Sequence, residues 1–464
     1  MKRLKWAAIL AAMAGLFAPS VSAQEMMYGD TQTKIRHTEW SKNAVVYEVN
    51  LRQGTKGRTF ESFRKELPRL KELGVDILWL MPIHPISKEN RKGELGSYYA
   101  VADYKAVNPE FGNINDFRRL VKTAHDLGMK VILDEVCNHT GCDHPWTRTN
   151  PEFYVRENGK FTSPYDWTDT YKLDYSNKML RRQMLDALKF WVKELDIDGY
   201  RCDVAGEVPT DFWEEARREL NKIKPVFMLA EASKPELLVS AFDSDYNWPM
   251  KDLFNAIAAT KGINKYAIDK KQQLPAKTAL SIDTLLMRQR NQYPRGGMNL
   301  NMITNHDLNS WEGTEFDRYT VGVEAFAVLS YTLPGIPMMY MGQEVGFDHA
   351  WEFFKHDICP DYTPNNWTAF YTKLNALKQA NPALNAGVAE QLWARHATKA
   401  ADIYAFTRIF KDRAVTVIVN LSNETLPVEF LNAPKVDGML DYFARSRAQL
   451  PTELKPWEYR IFVK

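Results

Sequence analysis

Cysteine is scarce in this chain: four among 464 residues, with no CxxC pair. A chain this long buries enough apolar surface to need no disulfide staple, so a cysteine framework is excluded. The missing CxxC argues against zinc-ribbon and thioredoxin-type chemistry. Cys137, Cys142, Cys202 and Cys359 allow three pairings, and the sequence does not choose among them. No internal apolar run reaches ~18 residues, which excludes a polytopic membrane protein. Low-complexity tracts are also lacking, and 45% apolar against 25% charged residues excludes disordered and collagen-like architectures. Net charge is nearly absent, at +2.

Three of the positive charges, Lys2, Arg3 and Lys5, precede an apolar stretch from Trp6 to Phe17, then Pro19 and the small-residue end Val21-Ser22-Ala23. That order reads as a secretory signal peptide over 1–23, with cleavage expected after Ala23. Without those three charges the formal charge of +2 becomes −1. A near-neutral surface gives no electrostatic reason to expect nucleic acid or an anionic membrane as partner. The expectation is a periplasmic or secreted monomer, free of the membrane after cleavage, acting on something uncharged.

The body repeats one unit: an amphipathic helix, a stop, then a short apolar strand. Phe60, Phe63, Leu67, Leu70 and Leu73 recur at helical spacing, Gly74 supplies a left-handed stop, and Val75 to Leu80 reads as a buried strand. The grammar returns in Phe117 to Leu127, Gly128 and Val131 to Leu133, then in Met184 to Leu195, Asp198-Gly199 and Tyr200 to Val204. Further helix and strand pairs and an opening strand, Val45 to Val49, bring the strands to eight. Alternation at this rhythm predicts an α/β fold, a (β/α)8 TIM barrel, over 24–387. Residues 140–176 interrupt it, being rich in Pro, Trp, Thr, Asp and Asn, and read as a short inserted subdomain after strand 3. From 388 to 464 apolar and polar residues alternate, which predicts a C-terminal antiparallel β domain, sandwich-like and packed directly on the barrel.

Barrel enzymes carry their sites at the C-terminal ends of strands. There the third strand ends Asp134-Glu135-Val136-Cys137-Asn138-His139, the fourth reads Gly199-Tyr200-Arg201-Cys202-Asp203, the fifth delivers Glu231 and the seventh Asn305-His306-Asp307. Each residue alone has a bland role as a cap or an internal ion pair. Four strand ends loaded together do not, because charge in a barrel is costly unless paired or used. From residues alone, metal-dependent hydrolysis by Asp134, His139, Asp203, Glu231 and His306 competes with glycosidase chemistry, although Arg201 among those ligands would repel a cation. Trp146, Trp167 and Trp311 lie in polar loops near the mouth, where they could stack on sugar rings or simply pack.

These same four segments resemble, in order and spacing, the four short signatures of the α-amylase family, glycoside hydrolase family 13. Supporting stretches agree: Tyr99 to Tyr104, Leu173-Asp174-Tyr175, and Gly335 to Glu344. The resemblance implies retaining hydrolysis of α-1,4-glucosidic bonds in starch or maltodextrins by double displacement. It casts Asp203 as nucleophile, Glu231 as acid and base with a raised pKa, and Asp307 as the group gripping sugar hydroxyls. Arg201 would orient the nucleophile, His139 and His306 would bind the cleaved sugar, and Tyr99 would be its platform. It also implies a structural calcium on Asn138 and Asp174 and no organic cofactor. Gly206-Glu207 stands where the family usually has a Lys-His pair, a departure from the pattern at one backbone calcium ligand and at a common sugar contact. An exo-acting α-glucosidase or glucanotransferase is the alternative, and a catalytically dead glucan-binding protein a further one, against which the retained acids argue.

Overall fold

The computed structural model describes residues 24–25 and 30–464; the signal segment expected at 1–23 lies outside them. Eight parallel strands close into a barrel: β1 (Val46–Val49), β2 (Ile77–Leu80), β3 (Lys130–Glu135), β4 (Gly199–Cys202), β5 (Phe227–Ala230), β6 (Ser244–Tyr246), β7 (Met298–Asn301) and β8 (Ile336–Tyr340). Met338 of β8 pairs with Val46 of β1, which seals the ring and leaves no edge.

Strand period two explains where the chemistry sits. Val46, Ile77, Ile132, Leu229, Leu300 and Met338 fill the lower barrel interior as one apolar cluster. Two residues further along the same faces come Glu48, Trp79, Asp134 and Glu231. The top layer is therefore polar because the sequence turns polar in register around the ring.

Gly199 fixes the register of the strand that matters most. Its φ is +151°, and a Cβ there would lie 1.8 Å from the Phe227 carbonyl oxygen. Only glycine permits β4 to start so close to β5. Arg201 then falls opposite Asp134 on one side and Leu229 on the other.

The outer helices follow the apolar spacing, with local differences. Helix Ile114–Asp126 is capped by Asn113 and buries Phe117, Leu120, Val121 and Ala124. The stripe from Phe60 to Leu73 is two helices, Phe60–Arg64 and Leu67–Leu73, because Pro68 cannot continue a helix begun before it. The seventh strand leaves the ladder after Asn301, and Asn305 then caps helix His306–Trp311. The insertion is not structureless. His139–Gly141 pairs with Thr170–Lys172, and Arg156–Glu157 with Lys160–Phe161.

The C-terminal sheet is an antiparallel run of β9 (Leu392–His396), β10 (Ile403–Phe410), β11 (Arg413–Asn420) and β12 (Tyr459–Val463). Gln24–Glu25 adds an edge strand beside β9, so the sheet draws on both ends of the chain. Tyr404 and Phe406 face the main core, whereas Ile403 and Ala405 build a smaller cluster on the other side. Buried Arg408 donates to the carbonyls of Thr332 (3.2 Å) and Leu333 (3.1 Å), tying sheet to barrel. All four cysteines are unpaired thiols.

Candidate active site

At the mouth of the barrel, fully buried Arg201 gathers three carboxyl groups. Its Nη1 donates to Asp134 Oδ1 (2.8 Å) and Asp203 Oδ1 (2.9 Å). Its Nη2 lies 2.9 Å from Glu231 Oε2, an ionic contact out of line for a hydrogen bond. The two terminal nitrogens of a guanidinium share one carbon. The carboxyls of Asp203 and Glu231, one on each, are therefore neighbours at the mouth, as the pair of a glycosidase must be.

The environment shifts both of these groups. Burial raises the Glu231 pKa and nearby Asp203 adds to the rise, against Arg201 and the Val204 backbone N–H, which donates to Oε2 at 2.8 Å. Val204 reaches that position at φ +36°, a left-handed conformation costly for a β-branched residue. Burial also raises Asp203, while Arg201 and a hydrogen bond from Glu231 pull it back. Both carboxyls are thus raised by burial, with Asp203 adding to the rise of Glu231 and Arg201 opposing it at each. Burial works against the charge of Arg201, but Asp134 and Glu231 hold its pKa well above the ordinary value.

A second line of contacts crosses the mouth. His306 Nδ1 meets Glu48 Oε1 at 2.5 Å, and its Nε2 meets the Tyr99 hydroxyl at 2.8 Å; that hydroxyl donates to Asp134 Oδ2 at 3.1 Å. Burial disfavours the imidazolium, yet Asp307 and Glu48 together push His306 to about 9. At His139 burial outweighs the pull of nearby Asp169 and lowers the pKa to about 4, which leaves a neutral ring able to donate or accept. Tyr99 stacks on His306 with centroids 5.5 Å apart. Asp307 stands at the cavity, half-exposed, 3.3 Å from His306 Nε2.

Glu48→Gln tests this pair. Because His306 is raised above the ordinary histidine value of about 6.5, the stability it contributes is fully present below that value and lost as pH rises through about 9. Removing one partner of a buried ion pair costs about 3–5 kcal/mol. The variant should lose about that much below pH 6.5 and show a flatter stability profile from 6.5 to 9, measured by denaturant unfolding across pH. A profile parallel to that of the parent would refute the pairing.

A cavity of about 390 Å³ contains Asp203, Glu231, Asp307, Tyr99, His139 and His306 in its wall, with Arg201 directly behind. Trp167 and Trp311 also line it, but Trp146 does not. That ring packs on His144, Tyr104 and Phe153, so the stacking role weighed for it gives way to core packing.

The metal expectation gains no support from the donor set. Asn138 donates its amide to His139, and Asp174 Oδ1 accepts the Ser176 backbone N–H. The turn that would lend a backbone ligand is bracketed by ammonium groups: Lys234 donates to the Gly206 carbonyl at 2.5 Å, and Lys172 lies 3.6 Å from Glu207. Calcium takes six to eight oxygens and is repelled by such neighbours. Among the described residues no three His, Cys, Asp or Glu side chains could hold a metal ion. The rival metal-hydrolase arrangement gains no support either, since Arg201 occupies the space between its ligands.

Sequence reasoning missed Glu48, buried behind His306, and several residues of the cavity wall. Glu48 was detectable as a lone carboxylate inside the apolar run Val45 to Val49. Lys92, Asp169, Phe353 and Phe354 come from loops without periodicity, so nothing in the sequence placed them at the cavity.

A closed parallel barrel with two carboxyls on one buried guanidinium and sugar-sized space above them is the arrangement of a glycosidase that works through a carboxyl pair. The family model of the alpha amylase catalytic domain matches residues 58–382, and the chain belongs to that family. It is 27% identical to a cyclomaltodextrinase of Thermoanaerobacter pseudethanolicus, over 87% of this chain and 74% of that protein. Among solved structures it is similar to a maltogenic alpha-amylase of Thermotoga neapolitana (28% identity, TM-score 0.78, 91% and 98% covered). An alpha-amylase of Lactobacillus plantarum is likewise similar (29% identity, TM-score 0.79, 92% and 100% covered).

Proposed function

We propose that this chain hydrolyses α-1,4-glucosidic bonds of starch, maltodextrins or related α-glucans by double displacement, outside the cytoplasm. The observation that carries the reading is the Asp203–Arg201–Glu231 arrangement at the wall of a cavity. Asp203 attacks the anomeric carbon while Glu231 gives its proton to the departing glycosidic oxygen, forming a glycosyl ester on Asp203. Glu231, now ionised, takes a proton from water, which attacks the same carbon and releases Asp203. Arg201 holds Asp203 in line and balances the charge around it. Asp307, neutral His139 and charged His306 bind sugar hydroxyls, and Tyr99 supports the ring. No organic cofactor enters any step. If a sugar hydroxyl replaces the water, the same intermediate yields transfer, the reading that a related cyclomaltodextrin glucanotransferase suggests.

Purified protein incubated with soluble starch, maltoheptaose and pullulan, with products sized, tests this. Shortened products of α-configuration are expected. Tight binding without turnover of any α-glucan would instead establish a binding protein.

A further inference from the structure

We infer that the donor side of this cavity is a blind end, closed by Lys92, so that the enzyme works from the non-reducing ends of linear α-glucan chains. This rests on the hydrolase reading above and narrows its substrate.

The loop after β2 forms the closing wall, because it docks on both neighbours at once. On one flank the Leu95 N–H donates to the Phe354 carbonyl at 2.8 Å, and Gly93 (φ +60°) presses so near that a Cβ would come within 2.4 Å of the Phe354 side chain. Buried Arg52 braces this junction, donating to the carbonyls of Gly96 (3.1 Å) and Phe353 (3.4 Å). On the other flank the loop is tied to the insertion. The N–H of Lys88 donates to Asp143 at 2.8 Å; Lys92 Nζ donates to the Asp166 carbonyl at 3.2 Å and stands 3.5 Å from Asp169 Oδ1. Trp311 continues the wall against Phe353 and Phe354, with centroids 5.6 and 6.1 Å away.

On the opposite side, beyond Glu231, the described residues form no comparable wall. Glu207, Ser233 and Lys234 are exposed there. Since Glu231 protonates the leaving oxygen, the exposed side receives the leaving chain and the walled side the glycosyl group. A cavity of about 390 Å³ is near the small end of the about 300–1,000 Å³ range for small-molecule sites. It holds the end of a chain and gives an internal stretch no exit.

The wall also carries the groups that recognise an end. Asp169 is 2% exposed yet lines the cavity, and Lys92 beside it is a donor. A carboxylate and an ammonium fixed side by side suit the free hydroxyls of a terminal glucose, one of which an internal residue has committed to its next linkage.

The experiment compares maltoheptaose with maltoheptaose carrying a 4,6-benzylidene group on its non-reducing end. The parent enzyme should prefer the free sugar by at least 100-fold in kcat/KM, and Lys92→Ala should reduce that preference at least tenfold. Asp169→Asn, which keeps its volume, carries the same test should the first variant fail to fold. Comparable cleavage of the blocked sugar by the parent, or an unchanged preference in the variants, would overturn the proposal. Absence of turnover on free maltoheptaose would instead strike the hydrolase reading itself.

Discussion

Asp203→Asn lowers kcat/KM on maltooligosaccharides by about 10⁴- to 10⁶-fold, the range expected when a nucleophile that acts with its partners is removed. At 1.36 kcal/mol per tenfold, that is about 5–8 kcal/mol of transition-state stabilisation. The loss is chemical, not structural. Asparagine has the same shape and still offers an oxygen to Arg201 Nη1, which is 2.9 Å away in the parent. It cannot form the glycosyl ester, because a neutral amide is a poor nucleophile and a poor leaving group in turn.

Stability should move the other way. Burial raises Asp203 above its ordinary value of 3.8, so ionising it costs the folded state free energy. By linkage, a carboxyl raised in the folded state loses stability as pH climbs from the unfolded value through the folded one. Asparagine removes that cost, and the variant should melt at or above the parent temperature at pH 7 while still binding maltooligosaccharide in calorimetry. Activity within tenfold of the parent would remove Asp203 from the mechanism.

Most of the barrel was legible because helix and strand periods leave different marks on apolar spacing. The strand-end carboxylates were legible because charge among buried strands is too costly to persist there without a partner or a task. Roles were not. Nothing in the spacing of Asp134, Asp203 and Glu231 says that one guanidinium touches all three; that depends on the pairing of β3 with β4 and β4 with β5. Pro68 marked the break in helix 60–73, yet the apolar stripe runs through it unaltered. Trp146 and Trp311 sit in similar polar contexts, and only the fold sends one to the core and the other to the cavity. Lys92 was least legible of all. Its role comes from two carbonyl-rich loops meeting in space, and no local pattern encodes such a meeting.

Glu231→Gln should cost about 10²- to 10⁴-fold on maltooligosaccharides, the usual worth of a positioned acid and base. The loss should depend on the leaving group, which a structural defect would not reproduce. A nitrophenyl maltoside departs without protonation, so its first step survives in the variant and the glycosyl ester on Asp203 accumulates as a burst of nitrophenol. Water then attacks slowly for want of a base. Azide needs no base, so in Glu231→Ala, which leaves it room, added azide should restore turnover and yield an α-glycosyl azide, the product of two inversions. A β-azide would mean a single inversion and would exclude an ester on Asp203 as the intermediate. The pH profile makes the same separation. Burial raises Glu231, so the parent loses activity on the alkaline side when that proton leaves and on the acid side when Asp203 gains one. The glutamine variant, assayed on the nitrophenyl substrate during the burst, should keep the acid limb and lose the alkaline one, because the group that sets it no longer titrates.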